Sequence, residues 1–242
     1  MGFKKHIPNL ITLANLLSGT IAVFYAIFGD LQMAALFVII GIGFDFFDGF
    51  AARILNVQGE LGKQLDSLAD MVTSGVVPGI VMFQLISRAT KIDSIAEVFT
   101  AENFQFLPFL GLSVTLGSAY RLAKFNIDTR QTSSFIGLPT PANTLLIVSL
   151  PLILAYSDSE FFVSILHNEY ALVLLALVCT YLLNAEIPLF ALKFKSFAWK
   201  DNGFKYVFLL ISVLLLVILK FVAIPLVILL YVLFSIWNNQ RK

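Results

Sequence analysis

The sequence predicts an all-α membrane protein, a polytopic helical bundle of about eight transmembrane helices with both termini cytoplasmic. Three observations carry that expectation. Of 242 residues, 59% are hydrophobic and 13% charged, and the mean hydropathy is +0.90, far from the half-apolar, quarter-charged mix of soluble domains. Apolar stretches of about 20 residues, the length that crosses a bilayer as a helix, recur along the chain. Basic residues gather on alternate connections, as they do at the inner face of a membrane.

The spans are read at 7–28, 31–55, 61–87, 105–124, 139–157, 170–190, 205–220 and 221–237. The first has an apolar run longer than a signal-peptide core and no small-residue cleavage motif after it, so it is an anchor. The second and third are joined by the short turn 56–60, which makes them antiparallel neighbours. The segment 88–103, with Asp93, Glu97 and Glu102, is an external connection or short surface helix. The fourth span ends in Arg121, Lys124 and Asn126, and Gly137-Leu138-Pro139-Thr140-Pro141 starts the fifth, because proline suits the first turn of a helix and not its interior. The sixth closes around Asn184, Glu186 and Pro188. The last two are separated only by Lys220-Phe221 and interrupted by Pro225, which fits a helical hairpin or one long kinked element. Lys193, Lys195, Lys200 and Lys205 with Trp199 read as an inner-leaflet anchor. No repeat or low-complexity linker divides the chain, so 1–242 is one domain, with a core at 1–190 and two further apolar helices at 205–237.

With the N-terminus inside, thirteen of the sixteen Lys and Arg fall on the cytoplasmic side, and only Arg88, Lys91 and Lys220 lie outside. A net charge of +1 excludes a phosphate-neutralising surface, so no nucleic-acid partner is expected. The single cysteine, Cys179, rules out an intrachain disulfide or a cysteine metal cluster. Gly41-Ile42-Gly43 looks like a piece of a nucleotide loop but lacks a preceding strand.

Four acids break the apolar pattern. Asp45, Asp48, Gly49, Ala52 and Arg53 stand at helical spacing on one face of the second span, and Gly62, Asp66 and Asp70 do so on the third. One central aspartate costs about 2.5 to 3.5 kcal/mol to insert, so four unpaired ones would cost on the order of ten. They must face a cavity, a cation or both; pairing with Arg53, Lys63 and Arg121 is the structural alternative. Ligation by carboxylates alone suits magnesium, manganese or calcium, and two ions could share so many oxygens. Zinc is disfavoured, since the only histidines are His6 and His167. Gly49 and Gly62 remove side chains where a ligand or another helix must come close, and Arg53 offers a fork for phosphate.

The run from Asp45 through Asp48, Gly49, Ala52, Arg53, Gly62 and Asp66 to Asp70 resembles the complete signature of the CDP-alcohol phosphotransferases. The resemblance implies a metal-dependent transfer of a phosphoryl-linked group from a CDP-activated donor to a hydroxyl, with CMP leaving. It implies that Asp45, Asp48 and Asp66 hold a first metal, magnesium or manganese with calcium as another occupant, and that no organic cofactor takes part. Asp70 would share a second metal and act as the general base. Gly49 and Arg53 would contact the pyrophosphate, with Ala52, Gly59 and Gly62 at further positions against the CDP-lipid. Asn9 and Thr12, on the first span, would meet the nucleotide.

Three stretches, 7–16, 64–78 and 120–142, also resemble the membrane-embedded phosphatidylserine synthases of that family. That likeness implies CDP-diacylglycerol and L-serine as substrates, a location in the inner (cytoplasmic) membrane with the site facing the cytoplasm, and a homodimer, as family members often form. Arg121, with Lys124 and Asn126, is then a candidate to hold the acceptor. The same chemistry with glycerol 3-phosphate or another alcohol is one rival. An ion-coupled transporter using the intramembrane acids is another, although no repeat with paired broken helices accompanies them.

Overall fold

The computed structural model describes residues 4, 6–92, 95–100, 104–128, 130, 134–190 and 199–240. The described residues are almost entirely helical. In order they form α1 (His6–Ile27), α2 (Leu31–Ile54), α3 (Glu60–Asp70), a π-helical turn (Met71–Val76), α4 (Val77–Ala89), α5 (Ile95–Val98), α6 (Leu107–Leu110), α7 (Ser113–Ile127), β1 (Ser134–Ile136), α8 (Thr140–Tyr156), α9 (Glu160–Leu166), α10 (Glu169–Asn184), β2 (Pro188–Phe190), α11 (Trp199–Leu219), a 3-10 turn (Lys220–Val222) and α12 (Ala223–Gln240). Four continuous helical stretches are long and apolar enough to cross a membrane, His6–Ile27, Leu31–Ile54, Glu60–Ala89 and Asn202–Asn239, and a fifth arises when the pair α9 and α10, bent by 79°, counts as one.

α1 and α2 form an antiparallel hairpin. Gly29, at φ 85°, makes the turn, and Asp30 caps α2 by accepting the Met33 N–H at 3.0 Å. Ala22, Ala26, Ala34, Ala35 and Val38 are buried together, and such small residues let membrane helices approach closely. At the heart of the bundle lies α4, buried at every position from Val77 to Ser87 except Ile80, as expected of a helix that is apolar on all sides. Its Gln84 side chain donates to the Ala26 and Ile27 carbonyls at 2.9 and 3.2 Å, and Arg88 donates to Gly29 at 2.6 Å. These bonds tie α4 to the last carbonyls of α1 and to the turn beyond it.

Several expected boundaries are refined. The third span is one continuous stretch, yet the π-helical turn interrupts its α geometry directly after Asp70. The fourth is split into α6 and α7 around Gly111 and Leu112. The sixth ends at Asn184 rather than 190, because Ala185 turns extended and Pro188 has entered a strand. Before it, α9 occupies a segment expected to be a loop. In the expected external connection, α5 supplies the short helix; Asp93 and Glu102 lie outside the described residues, as do Lys193 and Lys195 of the basic anchor.

The last two helices fold back on each other. The Phe204 ring lies 5.6 Å from Phe234 and 6.3 Å from Trp237, and Phe208 lies 5.9 Å from Tyr231, contacts impossible along one extended helix. Lys220, at φ 49°, makes the reversal. A two-stranded antiparallel sheet pairs Ser134 with Phe190 and Ile136 with Pro188, and α12 grips it from below: Tyr231 Oη donates to the Phe190 carbonyl at 2.8 Å, and Leu138, Leu189 and Val232 share a small core.

Gly137 links β1 to α8 at φ 74°. A Cβ there would stand 2.5 Å from the Leu183 carbonyl oxygen, so conformation and contact both demand glycine. Gly137→Ala should destabilise the protein by about 2 kcal/mol or more. A lowered thermal unfolding midpoint in detergent tests this; an unchanged midpoint would refute it.

Candidate active site

The expected meeting of the second and third spans occurs through α1. Three residues of α1, half-buried Asn9 and buried Thr12 and Asn15, reach the acid-bearing helices in turn. Asn9 faces Gly62, whose absent Cβ would lie 3.4 Å from Asn9 Oδ1. Thr12, 3% exposed, donates its hydroxyl to Asp48 Oδ2 at 2.5 Å. Asn15, fully buried, donates from Nδ2 to Asp70 Oδ1 at 3.3 Å. Residues three apart on a helix share a face, so one helix orients carboxylates of two others.

Asp45, Asp48 and Asp66 converge: each offers a carboxylate oxygen, and the three oxygens all lie within 4.8 Å of one another. Ligands on opposite sides of one ion stand at most about twice a metal–oxygen bond apart, roughly 4 to 5 Å for magnesium to calcium. The all-oxygen donor set and its spacing therefore fit a hard divalent cation. Asp48 is buried, and Asp45, Asp66 and Asp70 are half-buried.

The alternative, neutralisation by nearby bases, does not occur. Arg53 Nε donates to the Gly49 carbonyl at 3.0 Å, Lys63 Nζ to the Asn126 carbonyl at 2.7 Å, and Arg121 Nε to the Leu138 carbonyl at 2.5 Å. None of the ion pairs among the described residues involves Asp45, Asp48, Asp66 or Asp70. Four carboxylates in a low-dielectric region without a basic partner is an arrangement that calls for a cation.

Gly49 and Gly59 face open space, with nothing within 4 Å of a built Cβ. Among the described residues, no neighbouring helix comes close over Gly49. Arg53 is exposed beside it, and Ala52 is half-buried.

The end of α7 packs against α3 beside these acids. Asn126 Nδ2 donates to Ser67 Oγ at 2.8 Å, while Thr115 and Ser118 reach the carbonyls of Gly75 and Ser74 at 3.0 and 3.5 Å. Arg121 is 5% exposed, with its guanidinium carbon 5.7 Å from the centroid of the Phe125 ring. Lys124 is engaged by Glu186, which also pairs with Arg130 at 3.3 Å. Arg130 in turn holds Asp128 at 2.7 Å, and that carboxylate raises the guanidinium above its ordinary range. Of the three expected acceptor residues, Arg121 is buried, Lys124 is half-buried, and Asn126, also half-buried, is the one bonded next to an acid, at Ser67.

Sequence reasoning missed the partners of the acids. Thr73 donates to Asn15 Oδ1 at 2.8 Å and to its carbonyl at 3.2 Å. Gly41, set aside as a fragment of a nucleotide loop, sits where a Cβ would meet Asn15 Oδ1 at 2.9 Å and Thr73 Cγ2 at 2.8 Å. The available signal was spacing: Thr12, Asn15 and Ser18 form a polar stripe on an apolar helix, and Thr73 follows Asp70 by three.

The chain is similar to several known proteins. A protein named CDP-diacylglycerol–serine O-phosphatidyltransferase from Bacillus subtilis is 35% identical over 150 residues, 60% of this chain and 75% of the relative. One of the same name from Helicobacter pylori is 33% identical over 143 residues, 58% of this chain and 55% of the relative. An archaetidylserine synthase from Methanothermobacter thermautotrophicus is 30% identical over 156 residues, 63% of this chain and 60% of the relative. The latter two are thus matched over little more than half their length. The family model for CDP-alcohol phosphatidyltransferase matches residues 5–182, a range that holds all four aspartates, the α1 residues that orient them and Arg121. The chain belongs to the CDP-alcohol phosphatidyltransferase family.

Proposed function

We propose that the protein is a phosphatidylserine synthase, transferring the phosphatidyl group of CDP-diacylglycerol to the hydroxyl of L-serine with release of CMP. The observation that carries the reading is the convergence of Asp45, Asp48 and Asp66 with no basic partner. Serine as the acceptor rests on the relatives: bacterial and archaeal names differ in the lipid but share the serine product. The chain acts as one domain of eight crossings with both termini cytoplasmic, as its charge asymmetry supports, in the inner membrane and as a homodimer.

Asp45, Asp48 and Asp66 hold the divalent cation, magnesium or manganese, and Asp70 shares a second. Bound there, the ions supply positive charge against the donor pyrophosphate and the departing CMP. The acyl chains of the donor stay in lipid while its nucleotide lies against Asn9, Thr12, Gly59 and Gly62. Arg53 and the open surface over Gly49 and Ala52 receive the pyrophosphate. Arg121 holds the serine carboxylate or the donor phosphate, and Lys124 and Asn126 close the acceptor side. Asp70 accepts the proton of the serine hydroxyl. The serine oxygen then bonds to the lipid-side phosphorus as the bond from that phosphorus to the CMP oxygen breaks, in line. No protein nucleophile is required, and the side chains named at the site include no histidine or cysteine.

Serine-dependent CMP release from purified protein and CDP-diacylglycerol tests the reaction, with a panel of other alcohols as controls. Release with no alcohol at all would refute phosphatidyl transfer to an acceptor, and silence with every alcohol would favour a transporter. Chelation should abolish release, and added magnesium or manganese should restore it; turnover that survives exhaustive chelation would remove the cation from the mechanism. Asp70→Asn should lower turnover by about 100-fold or more while CDP binding persists. CMP release near the wild-type rate would overturn the base assignment. Arg121→Ala should raise the KM for serine about tenfold or more, the loss expected for a charge-assisted hydrogen bond. Weakened donor binding alone would assign Arg121 to the phosphate.

A further inference from the structure

We infer that Thr73 is a positioning residue for the reaction: acting through the Asn15 amide, it fixes the direction in which the Asp70 carboxylate is held. The inference rests on the reading of Asp70 as the base. Thr73 and Asn15 are both fully buried. The Thr73 hydroxyl occupies the oxygen side of the amide, bonding Asn15 Oδ1 at 2.8 Å and the Asn15 carbonyl at 3.2 Å. That leaves Nδ2 to face Asp70 Oδ1 at 3.3 Å. A reversed amide would set its oxygen against a carboxylate oxygen, two acceptors with no proton between them.

Two glycines keep the arrangement closed. A Cβ at Gly19 would stand 2.2 Å from Thr73 Oγ1 and 2.9 Å from Thr73 Cα, and one at Gly41 would strike both Thr73 and Asn15. Side chains at either position would displace the hydroxyl or the amide. The turn that carries Thr73 is anchored from its other side. The Ser74 carbonyl accepts from Thr144 and Ser118, and the Gly75 carbonyl from Thr115, all on neighbouring helices. Thr73 is therefore fixed to the frame, Asn15 to Thr73, and Asp70 to Asn15.

The test uses the full chain in detergent or bilayers, with CMP release measured against both substrates and CDP binding measured by calorimetry. Thr73→Val keeps the shape and removes the hydroxyl. It should lower kcat about tenfold or more while both KM values and the CDP Kd stay within about twofold, since misorientation of a reacting group acts on the chemical step. Thr73→Ser, which keeps the hydroxyl, should retain kcat within about twofold on the same argument. Asn15→Asp, equal in size but without the donor, should repeat the kcat loss. CDP binding shows that each variant has folded. Wild-type kcat in Thr73→Val, equal losses in the valine and serine variants, or a loss confined to KM would overturn the inference. A wild-type protein that releases no CMP with any alcohol would instead refute the underlying reaction, before any variant is made.

Discussion

Placing carboxylates inside a membrane protein creates a problem of direction as much as of energy. An ionised carboxyl in an apolar setting is tolerable only when its oxygens have assigned partners, and α1 makes those assignments. Thr12 bonds Asp48 of α2, and Asn15 bonds Asp70 of α3. Two acid-bearing helices are thus registered against a third, which carries no acid of its own. The close passage that makes this possible comes from Gly19 and Gly41, each with no room for a side chain. Larger residues there would separate the helices and leave the acids without their donors.

The bases sharpen the point. Arg53, Lys63 and Arg121 all stand near the acids in sequence or in space, and each donates to a backbone carbonyl. Had they paired with the acids, the cluster would be electrically settled and of little use to a cation. Their carbonyl bonds instead fix chain segments: Arg53 the end of α2, Lys63 the end of α7, and Arg121 the link into α8. The converging oxygens of Asp45, Asp48 and Asp66 thus stay without a basic partner among the described residues, with Arg53 exposed beside Gly49 and Arg121 buried.

How much of this could be read from the residues depended on the size of the signal each feature leaves. An aspartate in an apolar helix departs by several kcal/mol from its surroundings, so Asp45, Asp48, Asp66 and Asp70 were conspicuous, and helical spacing was enough to place them on facing surfaces. Thr73 and Asn15 leave a weaker trace, because a neutral polar side chain in a membrane helix often satisfies itself on the preceding turn, as Thr20 does at the Leu16 carbonyl, 2.8 Å away. The fold-back of α11 and α12 was undecidable from hydropathy, which reports length and not direction. The rings of Phe204, Phe208, Phe234 and Trp237 settle it. The early end of α10 was hidden for a similar reason, since Ile187, Leu189 and Phe190 are apolar enough to continue a span while Pro188 joins a strand.

That strand links the last two helices to Arg121 even though they lie beyond the residues the family model matches. A sheet of two three-residue strands has too few bonds to persist alone. Here β2 is held from α12 by the hydroxyls of Tyr231 and Ser235 and by the Asn239 amide. Its partner β1 leads directly into Gly137 and Leu138, and Leu138 carries the carbonyl that Arg121 grips. The backbone N–H groups of Gly137 and Leu138 are held in turn by the Ile187 and Leu182 carbonyls. Contacts of α12 with the sheet therefore bear, through Leu138, on the Arg121 guanidinium, and the hairpin's apolar mass serves as the abutment against which that polar corner is set.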